Sequence, residues 1–261
     1  MNFEYFSLTD TGMVRENNED SVLLDTENQI VILADGMGGY NAGEVASAMA
    51  TTYVKTELGR WLSDGGHEAS PRELRRAMEI CTDNANRSIF NAANSQSHYA
   101  GMGTTLVMGV FQKARAMIGH VGDSRCYRLR EGQFVQITRD HSLLQEQIDA
   151  GLISPEQAQF ATHRNLVTRA LGVEDTVLLE VNEFRLEDGD LYLFCSDGLN
   201  DMLSDDRIAA LLVTAGTLEE KARALVGAAN DCGGRDNISV ILAQARSRPV
   251  RRGLFSRVLR G

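Results

Sequence analysis

The residues of this sequence best placed to do chemistry are aspartates that adjoin apolar runs. Asp35 ends the run 30–34 and opens Gly36-Met37-Gly38-Gly39. Asp123 follows the run 116–121, inside Gly122-Asp123-Ser124-Arg125. Asp197 follows Leu193-Phe194-Cys195-Ser196 and precedes Gly198, with Asp201 four residues on. Asp20 closes Arg15-Glu16-Asn17-Asn18-Glu19 just before a strand, and Asp236 stands in Gly233-Gly234-Arg235-Asp236-Asn237 just before the last one. A strand running into Asp-Gly sets a carboxylate at the rim of a sheet, and the glycine permits a sharp turn and a close backbone approach. Several such rims brought together would gather negative charge. Carboxylates a few ångströms apart repel one another unless something neutralises them. Mg2+ or Mn2+ does this through oxygen ligands and water. Any one of these aspartates also suits a plain turn. On spacing alone both readings stand, although five sites in one chain are hard to assign to turns.

Other chemistries find less support. There is no G-x-S-x-G elbow, no phosphate loop ending in Gly-Lys-Ser/Thr, and no H-E-x-x-H. Gly36-Met37-Gly38-Gly39 lacks the third glycine of a dinucleotide loop. The five histidines (67, 98, 120, 141 and 163) show no zinc-ligand spacing. The four cysteines lie far apart, so neither a thiolate site nor a disulfide framework is indicated, and Cys195 reads as a buried, inert thiol.

These groups must be held by a chain of 261 residues, 43% hydrophobic and 24% charged, with three prolines and no Ser/Gly-rich linker. That predicts one large domain. The net charge of -10 argues against nucleic acid or anionic membrane as the main partner. Residues 246–261 carry six arginines and no acid, so the remainder holds about -16 (-10 less 6). No signal-peptide pattern opens the chain and no run approaches a membrane span, which predicts a cytoplasmic setting without stable membrane insertion.

Strands are expected at 3–8, 21–25 and 29–34, then a helix over 43–61. A second helix starts at a capping box, with Ser70 as N-cap, Pro71 next and Glu73 closing it, and runs to about 94. The runs 104–111, 114–121, 124–129 and 134–137, separated by short turns, suit an antiparallel meander. A helical insert follows, with a second box at Ser154-Pro155-Glu156-Gln157. Strands at 176–184 and 190–195, a helix near 205–212, one from Thr217 (N-cap, with Glu220 closing a third box) to about 230, and a strand at 238–243 complete the order. Paired helices predict layers over antiparallel sheets.

The same residues resemble the metal-dependent protein phosphatase family, the type 2C serine/threonine phosphatases, in its bacterial form. The resemblance covers residues 5–243. Its motifs occur in order: Arg15 to Asp20, Ala34 to Gly39, Gly103-Thr104-Thr105, Gly122 to Arg125, Asp140-His141-Ser142, Thr168-Arg169-Ala170-Leu171-Gly172, Ser196-Asp197-Gly198 and Gly234 to Asn237. It implies an α+β fold, a four-layer α-β-β-α sandwich with two antiparallel sheets. It also implies a Mn2+ or Mg2+ centre of two ions with a third alongside. Asp35 would bridge two ions, with Asp197 and Asp236 on the first. The Gly36 carbonyl would hold the second, with Asp20 or Glu19 beside it. Asp123, Asp197 and Asp201 would hold the weaker third. Arg15 would grip the substrate phosphate through its planar fork. The implied reaction is attack of a metal-activated water on phosphoserine or phosphothreonine, without a phosphoenzyme.

The resemblance further implies phosphoprotein substrates, a cognate Ser/Thr kinase that the enzyme opposes in signal transduction, and a monomer. A catalytically silent phosphoprotein adaptor and a phosphatase for small esters are the competing readings. One departure is Met37, where eukaryotic members carry a histidine proposed as general acid. Tyr40 stands where many bacterial relatives have a histidine. His141 belongs to a motif, but a hydrogen bond at a sheet rim suits it better than acid catalysis. Residues 141–165 correspond to a flap within the domain 1–245, and 246–261 to a basic tail.

Overall fold

The structure is a computed structural model that describes residues 1–38, 42–158 and 166–246. The chain opens with β1 (Asn2–Asp10), β2 (Asp20–Asp25) and β3 (Ile30–Met37). Two long helices follow, α1 (Ala42–Ser63) and α2 (Pro71–Ser95). Then come β4 (Gly103–Thr104), β5 (Leu106–Gln112), β6 (Arg115–Val121), β7 (Arg125–Arg130) and β8 (Gln133–Gln136). The short helices α3 (Leu143–Asp149) and α4 (Pro155–Ala158) lead to β9 (Glu180–Arg185) and β10 (Leu191–Cys195). Helices α5 (Asp197–Asn200), α6 (Asp205–Val213) and α7 (Leu218–Asp231) precede β11 (Ile238–Arg246).

Side-chain alternation builds the layers. In β3, Ile30, Ile32 and Ala34 pack toward α1 and α2, while Val31 and Leu33 face the opposite sheet. In β10, Leu191, Leu193 and Cys195 face α6 and α7, and Tyr192 and Phe194 face inward. Both sheets are therefore buried on both faces. One sheet has the order β1-β11-β10-β7-β8 and the other β2-β3-β5-β6-β9, with β4 on β3. The strand pairings are antiparallel. Three apolar layers thus lie between four layers of structure, as the α-β-β-α expectation requires.

The helices follow their apolar spacing. Ala46, Ala50, Val54, Leu58 and Leu62 repeat every four residues along the buried face of α1. Both long-helix capping boxes form. Ser70 Oγ and Glu73 close the start of α2, and Thr217 Oγ1 and Glu220 close that of α7. The Ser154 box also closes, since Ser154 N–H donates to Gln157 Oε1 at 2.8 Å.

Two expectations need correction. The runs at 104–137 are not one meander. β5 pairs with β6, but β7 and β8 belong to the other sheet. The 122–124 segment is a crossover between sheets, turned by Gly122 at φ 101. The strand expected from 176 begins at Glu180, where pairing to His120 starts. Leu178 before it is 71% exposed and Leu179 turns into the helix-facing core, so the two do not form a paired strand. β11 runs to Arg246, which pairs with Glu4 at 2.6 Å. The tail at 247–261, Tyr40 and residues 159–165 of the expected flap lie outside the described residues.

Gly109 lies where the two sheets approach each other closely. A Cβ there would stand 2.7 Å from the Phe194 ring. Gly109→Ala is expected to cost about 1–3 kcal/mol by overpacking, read from urea unfolding. In a Phe194→Leu background the added cost should shrink; equal cost in both backgrounds would show that the ring is not what the new methyl meets.

Candidate active site

Alternation also decides where the acids stand. Val31 and Leu33 face the other sheet, and Asp35 continues their side of β3. Asp20 is its direct cross-strand partner in β2. Asp197 opens α5 at the end of β10, Asp236 precedes β11, and Asp123 sits on the crossover. All lie at one end of the inter-sheet layer. A cleft of about 300 Å3 is lined by Arg15, Glu19, Asp35, Asp123, Asp197 and Asp236, with Gly36, Met37, Gly38, Thr105 and Val167. Asp20 lies just behind this lining, within reach of Asp35. Asp201 does not line the cleft; it lines an adjoining one of about 610 Å3 with Arg125, Asp140 and Asp205.

The backbone is packed tightly around these acids. A Cβ on Gly36 would fall 2.1 Å from Gly43 O and 2.6 Å from Glu19 O. One on Gly198 would fall 2.0 Å from Asn237 O. The glycines after Asp35 and Asp197 are therefore required for close approach of one chain segment to another, not for an unusual φ. Side chains then fix the strand ends. Thr105 Oγ1 accepts from Asp35 N–H at 3.0 Å, and Thr104 Oγ1 donates to Asp35 O at 2.9 Å. Ser196 Oγ donates to Asp20 Oδ2 at 2.7 Å. Asn237 accepts Glu19 N–H at 2.7 Å and donates to Thr11 O and Asn17 O. It ties the loop carrying Arg15 to the loop carrying Asp236.

Electrostatics make the cluster costly in isolation. Burial first, then Asp20, Asp197, Asp123 and Asp236, push the Asp35 pKa well above the usual carboxylate range. Burial, then Asp123, Asp201, Asp236 and Asp20, do the same to Asp197. Burial raises Asp20 and Asp123 to about 6. Arg15 is the one cation among the described residues lining the cleft, and its Nη2 meets Asp236 Oδ2 at 2.6 Å.

The donor set fits hard divalent ions. It is all oxygen, and the carboxylates lie near one another at a sheet rim. Asp20 Oδ1 is buried and finds no hydrogen-bond partner among the described residues. Buried polar oxygens without partners are rare, and a cation or its water would satisfy this one.

The sequence offered no role for Thr105, Ser196 or Asn237, although each stands in or beside a motif. Their one local signal is a hydroxyl or amide close to a rim aspartate or a strand end. His141, weighed earlier as an acid, is not among the lining residues. Its Nδ1 accepts Gly122 N–H at 3.1 Å and its Nε2 faces Glu180 at 3.5 Å. Cys195 is fully buried, and burial holds its thiol protonated.

Similarity to known proteins extends over most of the chain. The family model for Protein phosphatase 2C matches residues 13–238. The serine/threonine phosphatase stp of Listeria monocytogenes is 39% identical over 243 residues, spanning 90% of this chain and 93% of that protein. The crystal structure of the Mycobacterium tuberculosis serine/threonine phosphatase PstP/Ppp superposes with a TM-score of 0.87 at 35% identity, over 95% of this chain and 100% of that one. The PstP catalytic domain in complex with two manganese ions gives a TM-score of 0.82 at 34% identity, over 94% and 99%.

The raised acids set a pH dependence. A carboxyl group with a higher pKa folded than unfolded contributes stability that is complete below its unfolded value and lost as pH rises through the folded one. For Asp123 that window runs from about 3.8 to about 6. Chelator-treated protein should lose stability across it. Asp123→Asn should remove up to ~3 kcal/mol of the fall, measured by urea unfolding at each pH; an unchanged slope would contradict the burial argument.

Proposed function

The chain belongs to the protein phosphatase 2C family, and on that footing we propose that it hydrolyses phosphoserine and phosphothreonine in proteins, using a Mn2+- or Mg2+-loaded acidic cleft. The observation that carries this reading is the convergence of Asp35, Asp123, Asp197 and Asp236 on one cleft with Arg15, and with Asp20 behind it.

Asp35, Asp197 and Asp236 are the residues we assign to a first ion, with Asp35 shared. The Gly36 carbonyl and Asp20 or Glu19 would hold a second. Asp123, Asp197 and Asp201 would hold a third. When bound, such ions supply Lewis acidity, lowering the pKa of an attacking water and offsetting phosphate charge.

The chain's own groups do the rest. Arg15 presents a planar fork to phosphate oxygens. In the structure its Nη2 holds Asp236; were Asp236 to hold a cation, Arg15 would be free for substrate. Asp35 is kept in place by Thr104 and Thr105, which limits reorganisation during reaction. The described lining contains no cysteine, serine or histidine, which favours water as the attacking group. Met37 leaves the usual position of a histidine acid apolar, so the leaving oxygen takes its proton from water or a lining carboxyl.

We further read residues 1–245 as the catalytic domain, with 141–165 as a flap that helps choose the phosphoprotein. A Ser/Thr kinase acting on the same proteins, in the cytoplasm, is the proposed counterpart, and we read the enzyme as a monomer. Among the described residues no helix is long and apolar enough to cross a membrane. With Mn2+ present, a phosphothreonine peptide should turn over well ahead of a phosphotyrosine peptide and metabolite esters. Asp35→Asn should lower kcat at least about a thousandfold with the far-UV circular dichroism unchanged. Turnover of metabolite esters alone would favour a small-ester phosphatase, and no turnover by metal-bound protein would favour a silent adaptor.

A further inference from the structure

We propose that His141 is a positioning residue that locks the Asp123 loop to the chain at 166–168. The lock has two points on one residue, Gly122. His141 N–H donates to Gly122 O at 3.0 Å, and Gly122 N–H donates to His141 Nδ1 at 3.1 Å. One residue thus engages both polar groups of the glycine that precedes Asp123. Gly122 has little freedom otherwise. Its φ is 101, and a Cβ there would sit 2.7 Å from Thr105 Cγ2. Thr105 is the side chain that also supports Asp35.

From the same residue the connection continues outward. His141 O accepts Thr168 N–H at 2.8 Å, and Leu143 N–H donates to Leu166 O at 2.9 Å. These bonds join residues 141–143 to residues 166–168, of which Val167 lines the cleft. The ring itself is wedged. It stacks on His120 with centroids 4.7 Å apart and planes 16° from parallel. His120 Nε2–H in turn donates to Arg139 O at 2.7 Å, so residues 139–141 are held from both sides.

His120, His141 and Glu180 offer ligand atoms within 4.8 Å of one another, which invites a metal reading. The rings argue against it. A nitrogen lone pair lies in its ring plane, and two stacked planes do not converge on one ion. With the His141 Nδ1 lone pair taken by Gly122 N–H, its proton resides on Nε2 and faces Glu180. The arrangement also leaves His120 Nδ1 buried without a partner among the described residues, a cost in stability. The pair is better explained by what it positions.

The assignment of Asp123 to a metal rests on the proposed function, but the lock does not, so the first test uses metal-free protein. Amide hydrogen exchange is compared in the full chain, wild type, His141→Ala and His141→Asn. Alanine should speed exchange at Gly122 and Thr168 at least tenfold and leave α6 and α7 unchanged. Asparagine, whose carbonyl can accept the Gly122 N–H, should restore most of the protection at Gly122. Unchanged exchange at Gly122, no rescue by asparagine, or equal acceleration throughout the chain would overturn the lock. With Mn2+ added, the weakest calorimetric binding step should weaken about tenfold in His141→Ala. Wild-type Mn2+ binding alongside a loosened loop would overturn the positioning role, while absent turnover in the wild type would count only against the proposed function.

Discussion

Buried carboxylates that cannot move apart burden one end of this fold, first by their desolvation and then by their mutual repulsion. Asp20 and Asp35 are fixed to adjacent strands, and Asp123, Asp197 and Asp236 to the loops that end or begin others. Free side chains would relieve such crowding by turning toward water. Here the backbone is braced by Thr104, Thr105, Ser196 and Asn237, so the charge stays concentrated. Three apolar layers supply the rigidity that makes this tolerable. Stability and function thus pull against each other at the same rim. The arrangement makes physical sense when cations belong to the folded state.

Much of this was legible in the sequence, and for an identifiable reason. The apolar runs of β3 and β10 are local, so runs that end in Asp35 or Asp197 announce a carboxylate at a strand end. The capping boxes at Ser70 and Thr217 are also local, and both helices start where those residues stand. What failed was connectivity. A short turn containing glycine looks like a hairpin, and nothing near 122–124 says that the next strand joins the other sheet. The bracing residues were hidden for a related reason. Asn237 meets Glu19, which lies 218 residues away in sequence, so no local pattern records the contact. The glycines were located correctly but explained incompletely. Gly36 and Gly198 are required by backbone from distant segments, and spacing does not show that.

The crossover gives the two sheets different duties. The sheet ordered β2-β3-β5-β6-β9 supplies Asp20 and Asp35, and the other supplies Asp197 and Asp236. Asp123 alone sits on the chain as it passes between them. A shear of one sheet over the other would therefore separate these aspartates together with the apolar layer that the two sheets share. The ring stack of His120 and His141, and the hydroxyl pair of Thr105 and Ser124 at 2.7 Å, stand where that shear would begin.

The pairing of β1 with β11 has a consequence for how the molecule is made. β1 is an edge strand, and its sheet neighbour is residues 238–246. At roughly 5–20 residues per second, a ribosome needs some tens of seconds to deliver that partner. Until then Arg15 has no Asp236 to meet, and Asn237 cannot tie down residues 11–19. Pairings so distant along the chain are slow to form, because their entropy must be lost before contact compensates. The cleft is therefore among the last features to be assembled during synthesis, and a partial chain lacks its full lining until β11 is in place.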